Sequence, residues 1–329
     1  MIAKLRVGIV GAGWVSAHHL AAWRALETVD VVAIADRDRR RAAARAREFG
    51  IACVREDAGE MLEHDRLDAL DIATPVDTHA GYCRLAAGRG VDILCQKPLA
   101  PTLDQARALV RDVGARARLM VNENWRFRPH YRQVRRWLDG ATGEVVQFRL
   151  ATRSSGLIRD AAGNRPALSR QPFLATLGRL IVGELLIHHV DVARYLLGPL
   201  DVRAAIAAYG ECRGEHAATI LLQSAHGGTA VVDGNMAAPG FPPTPLDALD
   251  VIGTRGSVRL EGDALTLSGA SVEQHRVDLV ANYQQGFTEA AAHFVDCVRH
   301  GRPFETAAVD NLETLALIDA AYRDIEARR

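Results

Sequence analysis

Lys97 is one of only two lysines among 40 basic residues, and it stands in Cys95-Gln96-Lys97-Pro98, just past an apolar run with the pattern of a buried strand. Elsewhere the chain uses arginine almost exclusively. A guanidinium stays charged above pH 12, whereas an ammonium is compact and gives up its proton in a suitable setting. A lysine retained here therefore points to proton transfer or to stabilisation of a developing oxyanion. A second group of ionisable residues, Glu184, His188 and Asp191, follows the spacing i, i+4, i+7. On a helix predicted over 183–197 they share one face, surrounded by Ile181, Val182, Leu185, Leu186, Ile187, Val190, Val192, Leu196 and Leu197. A charged stripe on an otherwise apolar helix costs free energy unless it is paired or faces a cleft. Lys97, His188, Glu184 and Asp191 are the candidate catalytic residues.

The third feature is Gly11-Ala12-Gly13-Trp14-Val15-Ser16, which follows an apolar run, Leu5 to Val10, and opens a helical pattern. Glycine at 11 permits a tight turn, glycine at 13 lets a pyrophosphate approach the backbone, and the helix start at Trp14 and Val15 supplies amide donors. Ser16 replaces the usual third glycine with another small side chain. Asp36, 25 positions after Gly11, ends the second strand and is placed to bind ribose hydroxyls. The spacing predicts a dinucleotide site. The Asp36 carboxylate favours NAD over NADP, with Arg37 the residue able to swing onto a 2′-phosphate. Thr74 and Pro75 follow another strand and face the nicotinamide end; His79 reads equally as a contact or as a packing residue. With Gln96 and Lys97 these complete the expected cofactor set. Asn124 and Trp125 follow the last strand of this region and join Lys97, Glu184 and His188 as expected substrate contacts, with an anchoring role in the core open for Trp125.

The elements that must position these residues fall into two patterns. Strands at Leu5–Val10, Val31–Ala35, Leu70–Ala73, Val91–Leu94 and Leu119–Val121 alternate with helical stretches, which predicts a doubly wound parallel sheet. Thr102-Leu103-Asp104-Gln105 reads as a capping box. After 122 a short helix over 131–138 and a strand over 145–150 precede an irregular stretch over 151–180. Strands near 202–208, 217–223, 228–236, 248–252 and 257–261 then predict a mostly antiparallel sheet, and helices near 284–299 and 308–326 close the chain. The fold class is α/β, with a Rossmann domain over 1–122 and an α/β domain with an open sheet over 123–329, its C-terminal helix free to pack back on the first.

Forty acidic residues offset the basic ones, which argues against nucleic acid or a membrane surface as the partner and for a small molecule. No apolar run has the length of a membrane span, and no signal-peptide pattern opens the chain, so a cytoplasmic location is expected. Five scattered cysteines lack disulfide or zinc spacing, and the histidines show no two-His metal motif, so no metal is expected. Between 145 and 183, Arg149, Arg153, Arg159, Arg165, Arg170 and Arg179 face one acid, Asp160, which admits an acidic sugar among the substrates.

Taken together these motifs are similar to those of the Gfo/Idh/MocA oxidoreductases, the glucose–fructose oxidoreductase and inositol dehydrogenase group. Gly11-Ala12-Gly13, Thr74-Pro75 with His79, Lys97-Pro98, and His188 and Asp191 ahead of Arg194-Tyr195-Leu196-Leu197-Gly198 fall in family order over essentially the whole chain. Two positions depart from the pattern: Gln96 stands where the family has Glu, and Glu184 where inositol dehydrogenases have Asp. The resemblance implies a substrate held over the nicotinamide, oxidation of a secondary hydroxyl of a sugar, sugar acid or polyol, and a homodimer or homotetramer formed through the C-terminal sheet. Hydride loss from an alcohol carbon requires removal of the hydroxyl proton, and His188 or Lys97 serves as that base. The competing readings are a non-redox isomerase, lyase or glycosidase using bound NAD transiently, and a non-catalytic NAD-binding sensor.

Overall fold

The computed structural model describes residues 3–329. Two compact units emerge, one running through Phe127 together with Tyr283–Leu315, the other comprising Arg128–Asn282 and Ala316–Arg329. The first unit therefore extends past the expected boundary at 122 and takes in a segment distant in sequence.

In the first unit β1 (Leu5–Val10), α1 (Trp14–Arg24), β2 (Val29–Ala35), α2 (Arg39–Phe49), β3 (Cys53–Arg55), α3 (Ala58–His64), β4 (Ala69–Ile72), α4 (Val76–Ala87), β5 (Asp92–Gln96), α5 (Leu103–Val113) and β6 (Leu119–Asn122) alternate. The strands form a six-stranded sheet in the order β3-β2-β1-β4-β5-β6, every pair parallel. This is the doubly wound order, whose reversal between β1 and β4 opens a crevice at the strands' carboxyl ends. The sequence explains the arrangement: Val7, Ile9, Leu70, Ile72 and Ile93 are completely buried, as strands covered by helices on both faces require. Thr102 caps α5 as expected, its hydroxyl accepting from the Gln105 amide at 3.2 Å. The segment after Tyr283 joins this unit because Phe287, Ala290, Ala291 and Phe294 pack with Leu5, Val7, Trp23 and Leu94 in one apolar cluster.

The second unit holds α6 (Pro129–Leu138), β7 (Val145–Arg153), the short α7 (Pro166–Arg170) and α8 (Ile187–Leu197). The strands β8 (Leu200–Tyr209), β9 (Glu215–Ser224), β10 (Thr229–Asn235), β11 (Leu246–Gly253), β12 (Ser257–Glu261), β13 (Ala264–Ser268) and β14 (Val272–Arg276) follow. Their eight-stranded sheet runs β14-β13-β12-β11-β7-β10-β9-β8, antiparallel except where β7 pairs with β10. β13 and β14 are additions to the sequence reading. All five residues of β14 are exposed, so no alternation of apolar and polar side chains marks it. The closing helices are α9 (Leu279–His300) and α10 (Ala308–Ala327).

Candidate active site

Gly11, at φ +105°, makes the turn out of β1. A Cβ at this position would lie 2.2 Å from the Ala73 carbonyl oxygen, so only glycine allows β1 and β4 to approach so closely at their carboxyl ends. Gly13 starts α1 with no side chain capping the helix, and a Cβ there would meet nothing within 4 Å. The open space lies where the helix presents its unbonded amides, the environment a pyrophosphate needs. Ser16 is completely buried and donates to the Gly13 carbonyl at 2.7 Å, which satisfies the hydroxyl that replaces the usual glycine. Val15 packs, partly buried, against the apolar residues under the turn, and Trp14 is 41% exposed at the helix start. Asp36 accepts from the Ala12 amide at 2.7 Å and from the Asp38 amide at 2.8 Å. The carboxylate thus braces the glycine turn and keeps lone pairs for further donors. Arg37 is exposed beside it, while Arg39 and Arg41 pair with Glu56 and Asp38. The residues present fit a bound dinucleotide.

We expect Gly11→Ala to lower stability by about 3 kcal/mol, from strained backbone and steric overlap, and to weaken NADH binding more than tenfold, on the order of 1.4 kcal/mol. Urea unfolding and NADH fluorescence titration check both effects.

The turns after β4 and β5 sit on the same carboxyl edge. Thr74 is half-buried and Pro75 exposed at the start of α4. His79 is fully buried, with Nδ1 3.0 Å from the Pro98 carbonyl and Nε2 2.9 Å from the Thr74 carbonyl. Its ring lies between the carbonyls of the Thr74-Pro75 and Lys97-Pro98 turns and donates to one of them, and burial holds its imidazole below the ordinary histidine range. Gln96 is buried, and its Oε1 accepts the Lys97 amide at 2.6 Å, while the Lys97 side chain is half-buried. After β6, Asn124 and Trp125 lie buried in a 3-10 turn, and Asn124 Nδ2 has no hydrogen-bond partner. Lys97 and Asn124 thus follow neighbouring strands of the sheet that carries the glycine turn.

In the second unit, the expected helix over 183–197 begins differently. A π-helical turn, Ile181–Leu186, precedes α8. Glu184 lies in this wider turn, and His188 and Asp191 in the regular helix that follows. Glu184 is half-buried, whereas His188 is 7% and Asp191 1% exposed. Arg194 approaches Asp191 at 4.0 Å. The cause of the π turn lies in Glu215, fully buried on β9, whose Oε1 accepts the Leu180 amide at 3.0 Å, the Val182 amide at 3.1 Å and the Tyr322 hydroxyl at 2.6 Å. The Tyr322 oxygen accepts the Gly183 amide at 2.9 Å, so side chains from β9 and α10 satisfy the turn's donors.

Two buried networks escaped the sequence reading. His19, Trp23, Asp71, Gln96 and Asn122 form one beneath the Lys97 turn. Its signal was Asp71 itself, an acid inside the apolar run Ala69-Leu70-Asp71-Ile72. The other joins His189 to Asp247 at 3.0 Å, with Tyr131 and Arg128 on the second carboxylate oxygen at 2.9 and 3.4 Å. The arginine surplus between 145 and 183 is taken up locally. Arg149 and Arg153 pair with Asp233, Arg165 with Glu211 and Arg179 with Glu326, while Arg159 and Arg170 reach the carbonyls of Gly163 and Pro243. Among the described residues no group of three or more His, Cys, Asp or Glu side chains is arranged to hold a metal ion, and no helix is long and apolar enough to cross a membrane.

Comparison with known proteins matches residues 5–123 to the oxidoreductase family with an NAD-binding Rossmann fold and residues 131–259 to the GFO/IDH/MocA C-terminal domain. The chain belongs to the Gfo/Idh/MocA oxidoreductase family. It is 35% identical to a D-apiose dehydrogenase of Paraburkholderia graminis over 98% of this chain and 88% of the relative. An inositol 2-dehydrogenase of Rhizobium meliloti is 28% identical over 99% of this chain and 98% of the relative. An Agrobacterium radiobacter oxidoreductase solved with NAD+, L-tartaric acid and magnesium superposes with a TM-score of 0.92 at 31% identity, over 99% of this chain and 97% of that one. As a Gfo/Idh/MocA protein it is an oxidoreductase, and the six-stranded parallel sheet is its NAD-binding Rossmann fold. The open antiparallel sheet corresponds to the family's C-terminal domain.

Proposed function

We propose that this Gfo/Idh/MocA enzyme interconverts a secondary hydroxyl of a sugar, sugar acid or polyol and the corresponding ketone, using NAD. One observation carries the reading. Lys97 stands at the carboxyl end of β5, on the edge that bears the glycine turn after β1 and the unpartnered Asn124 amide after β6. Ligands of open α/β sheets bind at that edge. The named relatives act on apiose and inositol, which supports a polyhydroxylated substrate.

When bound, the nicotinamide supplies a hydride acceptor. The Lys97 ammonium donates a hydrogen bond to the reacting hydroxyl and stabilises charge as its oxygen loses a proton. His188 takes that proton as general base, with Glu184 and Asp191 orienting the imidazole or binding neighbouring hydroxyls. Lys97 as the base is the alternative assignment. Asn124 offers its amide to a substrate oxygen, and Trp125 borders it. Thr74, Pro75, Trp14 and Val15 line the cofactor, and Asp36 takes the ribose hydroxyls, its negative charge disfavouring the 2′-phosphate of NADP despite Arg37.

We also place the enzyme in the cytoplasm, where its five free cysteines remain reduced, and assign it a homodimer or homotetramer through the second sheet. Ile206 (64% exposed), Leu221 (40%) and Ile252 (42%) share one face of that sheet, apolar surface of the kind a partner subunit covers.

The test is a screen of D-apiose, inositols, neutral sugars and sugar acids with NAD and with NADP, following absorbance of the reduced nicotinamide. Turnover of a sugar or cyclitol with NAD is expected. Substrate conversion without net change in nicotinamide absorbance would select non-redox chemistry instead.

A further inference from the structure

We propose that His19 is a positioning residue for Lys97, acting through Gln96; the proposal rests on the assignment of Lys97 above. Asp71 lies in the middle of β4 and is fully buried, where an unpaired carboxylate would cost several kcal/mol. His19 and Trp23, one turn apart on α1, supply its donors. Trp23 Nε1 donates to Oδ2 at 2.7 Å, and His19 Nδ1 lies 2.9 Å from both oxygens. A carboxylate accepts only, so Nδ1 carries a proton, and the donors that face Nε2 make that nitrogen the acceptor. Both groups facing Nε2 are side-chain amide nitrogens, Asn122 Nδ2 at 3.1 Å and Gln96 Nε2 at 3.4 Å. Gln96 and Asn122 are paired neighbours on β5 and β6, which lets one ring meet both.

The consequence reaches the reactive turn. With its NH₂ toward His19, the Gln96 amide turns its oxygen onto the Lys97 backbone N–H at 2.6 Å. Asp71, His19, Gln96 and Lys97 therefore form a directed chain of hydrogen bonds in which the tautomer of one buried ring sets the orientation of the residue holding the lysine. A glutamate at 96 would set an acceptor against an acceptor. Glutamine is the residue that matches this tautomer, which accounts for the departure from Glu-Lys-Pro in a way that sequence comparison does not.

The experiment swaps the tautomer and then repairs it. In Asp71→Asn the new amide donates to Nδ1 and moves the proton to Nε2, where it opposes two donors, so Gln96 turns and releases Lys97. With NAD and the sugar selected by the screen, kcat is expected to fall about 10–100-fold. NADH affinity should stay within about two-fold. Adding Gln96→Glu supplies a carboxylate that accepts from both Nε2–H and the Lys97 amide, and recovery of roughly tenfold in kcat is expected. A loss of stability alone would not be repaired by Gln96→Glu. Wild-type kcat in Asp71→Asn, or no recovery in the double variant, overturns the proposal. Nitrogen-15 NMR of the folded wild-type enzyme reads the His19 tautomer without reference to catalysis: Nδ1–H is expected, and Nε2–H overturns the chain of bonds. Wild-type turnover in Lys97→Ala would sink the assignment of Lys97, whereas an inactive Lys97→Ala beside an unaffected Asp71→Asn would sink only the role of His19.

Discussion

Lys97→Ala and His188→Ala each lower kcat by about 10³-fold or more, while NADH affinity stays within about two-fold. The split between kcat and binding follows from where the residues act. In the proposed site the glycine turn, the start of α1 and Asp36 hold the cofactor, and neither substitution touches them. The two side chains supply interactions that matter once the hydroxyl begins to lose its proton, and such interactions set kcat. Lys97→Arg separates the roles. If lysine stabilises charge and His188 is the base, the guanidinium keeps the charge and residual activity exceeds that of Lys97→Ala. If lysine is the base, Lys97→Arg is as inactive as Lys97→Ala, since arginine does not release its proton. Stopped-flow absorbance with the screened substrate and NADH fluorescence titration read both quantities. Wild-type rates in both alanine variants would end the dehydrogenase mechanism.

The second large effect is on stability. Asp247→Ala destabilises the protein by about 3–5 kcal/mol, because it takes a buried carboxylate from the Arg128 guanidinium and from the His189 and Tyr131 donors. Burial pushes Asp247 upward, but the His189 charge and hydrogen bond, with Arg128 and the Tyr131 hydroxyl, outweigh it and hold the carboxyl well below the usual carboxylate range. Its contribution is complete above the unfolded carboxyl pKa, near 4, and is lost as pH falls below it. His130 adds an earlier window. Burial, then the Arg128 charge, lower its pKa from 6.5 to about 3. As pH falls through 6.5 the unfolded chain takes up a proton that the folded protein refuses until about 3, so stability declines across this interval. Urea unfolding at several pH values should show a continuous loss on acidification from below about pH 6.5, with a shallower slope between about pH 6.5 and pH 4 in His130→Phe, where the lowered His79 and His18 remain. Equal pH slopes in the two proteins would exclude His130 as the source of the upper window.

Features governed by neighbouring residues were legible in the chain. Strand β1 runs over Leu5–Val10 as its apolar pattern predicts, and the glycine turn and the Thr102 cap occur where their motifs place them, since each depends on a few adjacent residues. β3, α3, β13 and β14 were not recognised, because short or fully exposed segments leave little periodicity to read. The π turn that carries Glu184 left no mark in the local pattern, because the groups that bind its backbone amides come from β9 and α10.

Residue type and local spacing by themselves determined the glycine turn after β1, the lysine after β5, the helical histidine and the class of both sheets. Tertiary structure alone decided how these groups are oriented. The π turn is imposed by Glu215 and Tyr322, 35 and 139 positions from the amides at Leu180 and Gly183 that they bind, and the His19 tautomer by Asp71, 52 positions away. A buried polar group must find its partner wherever folding brings one, so its orientation answers to residues that no sequence window contains.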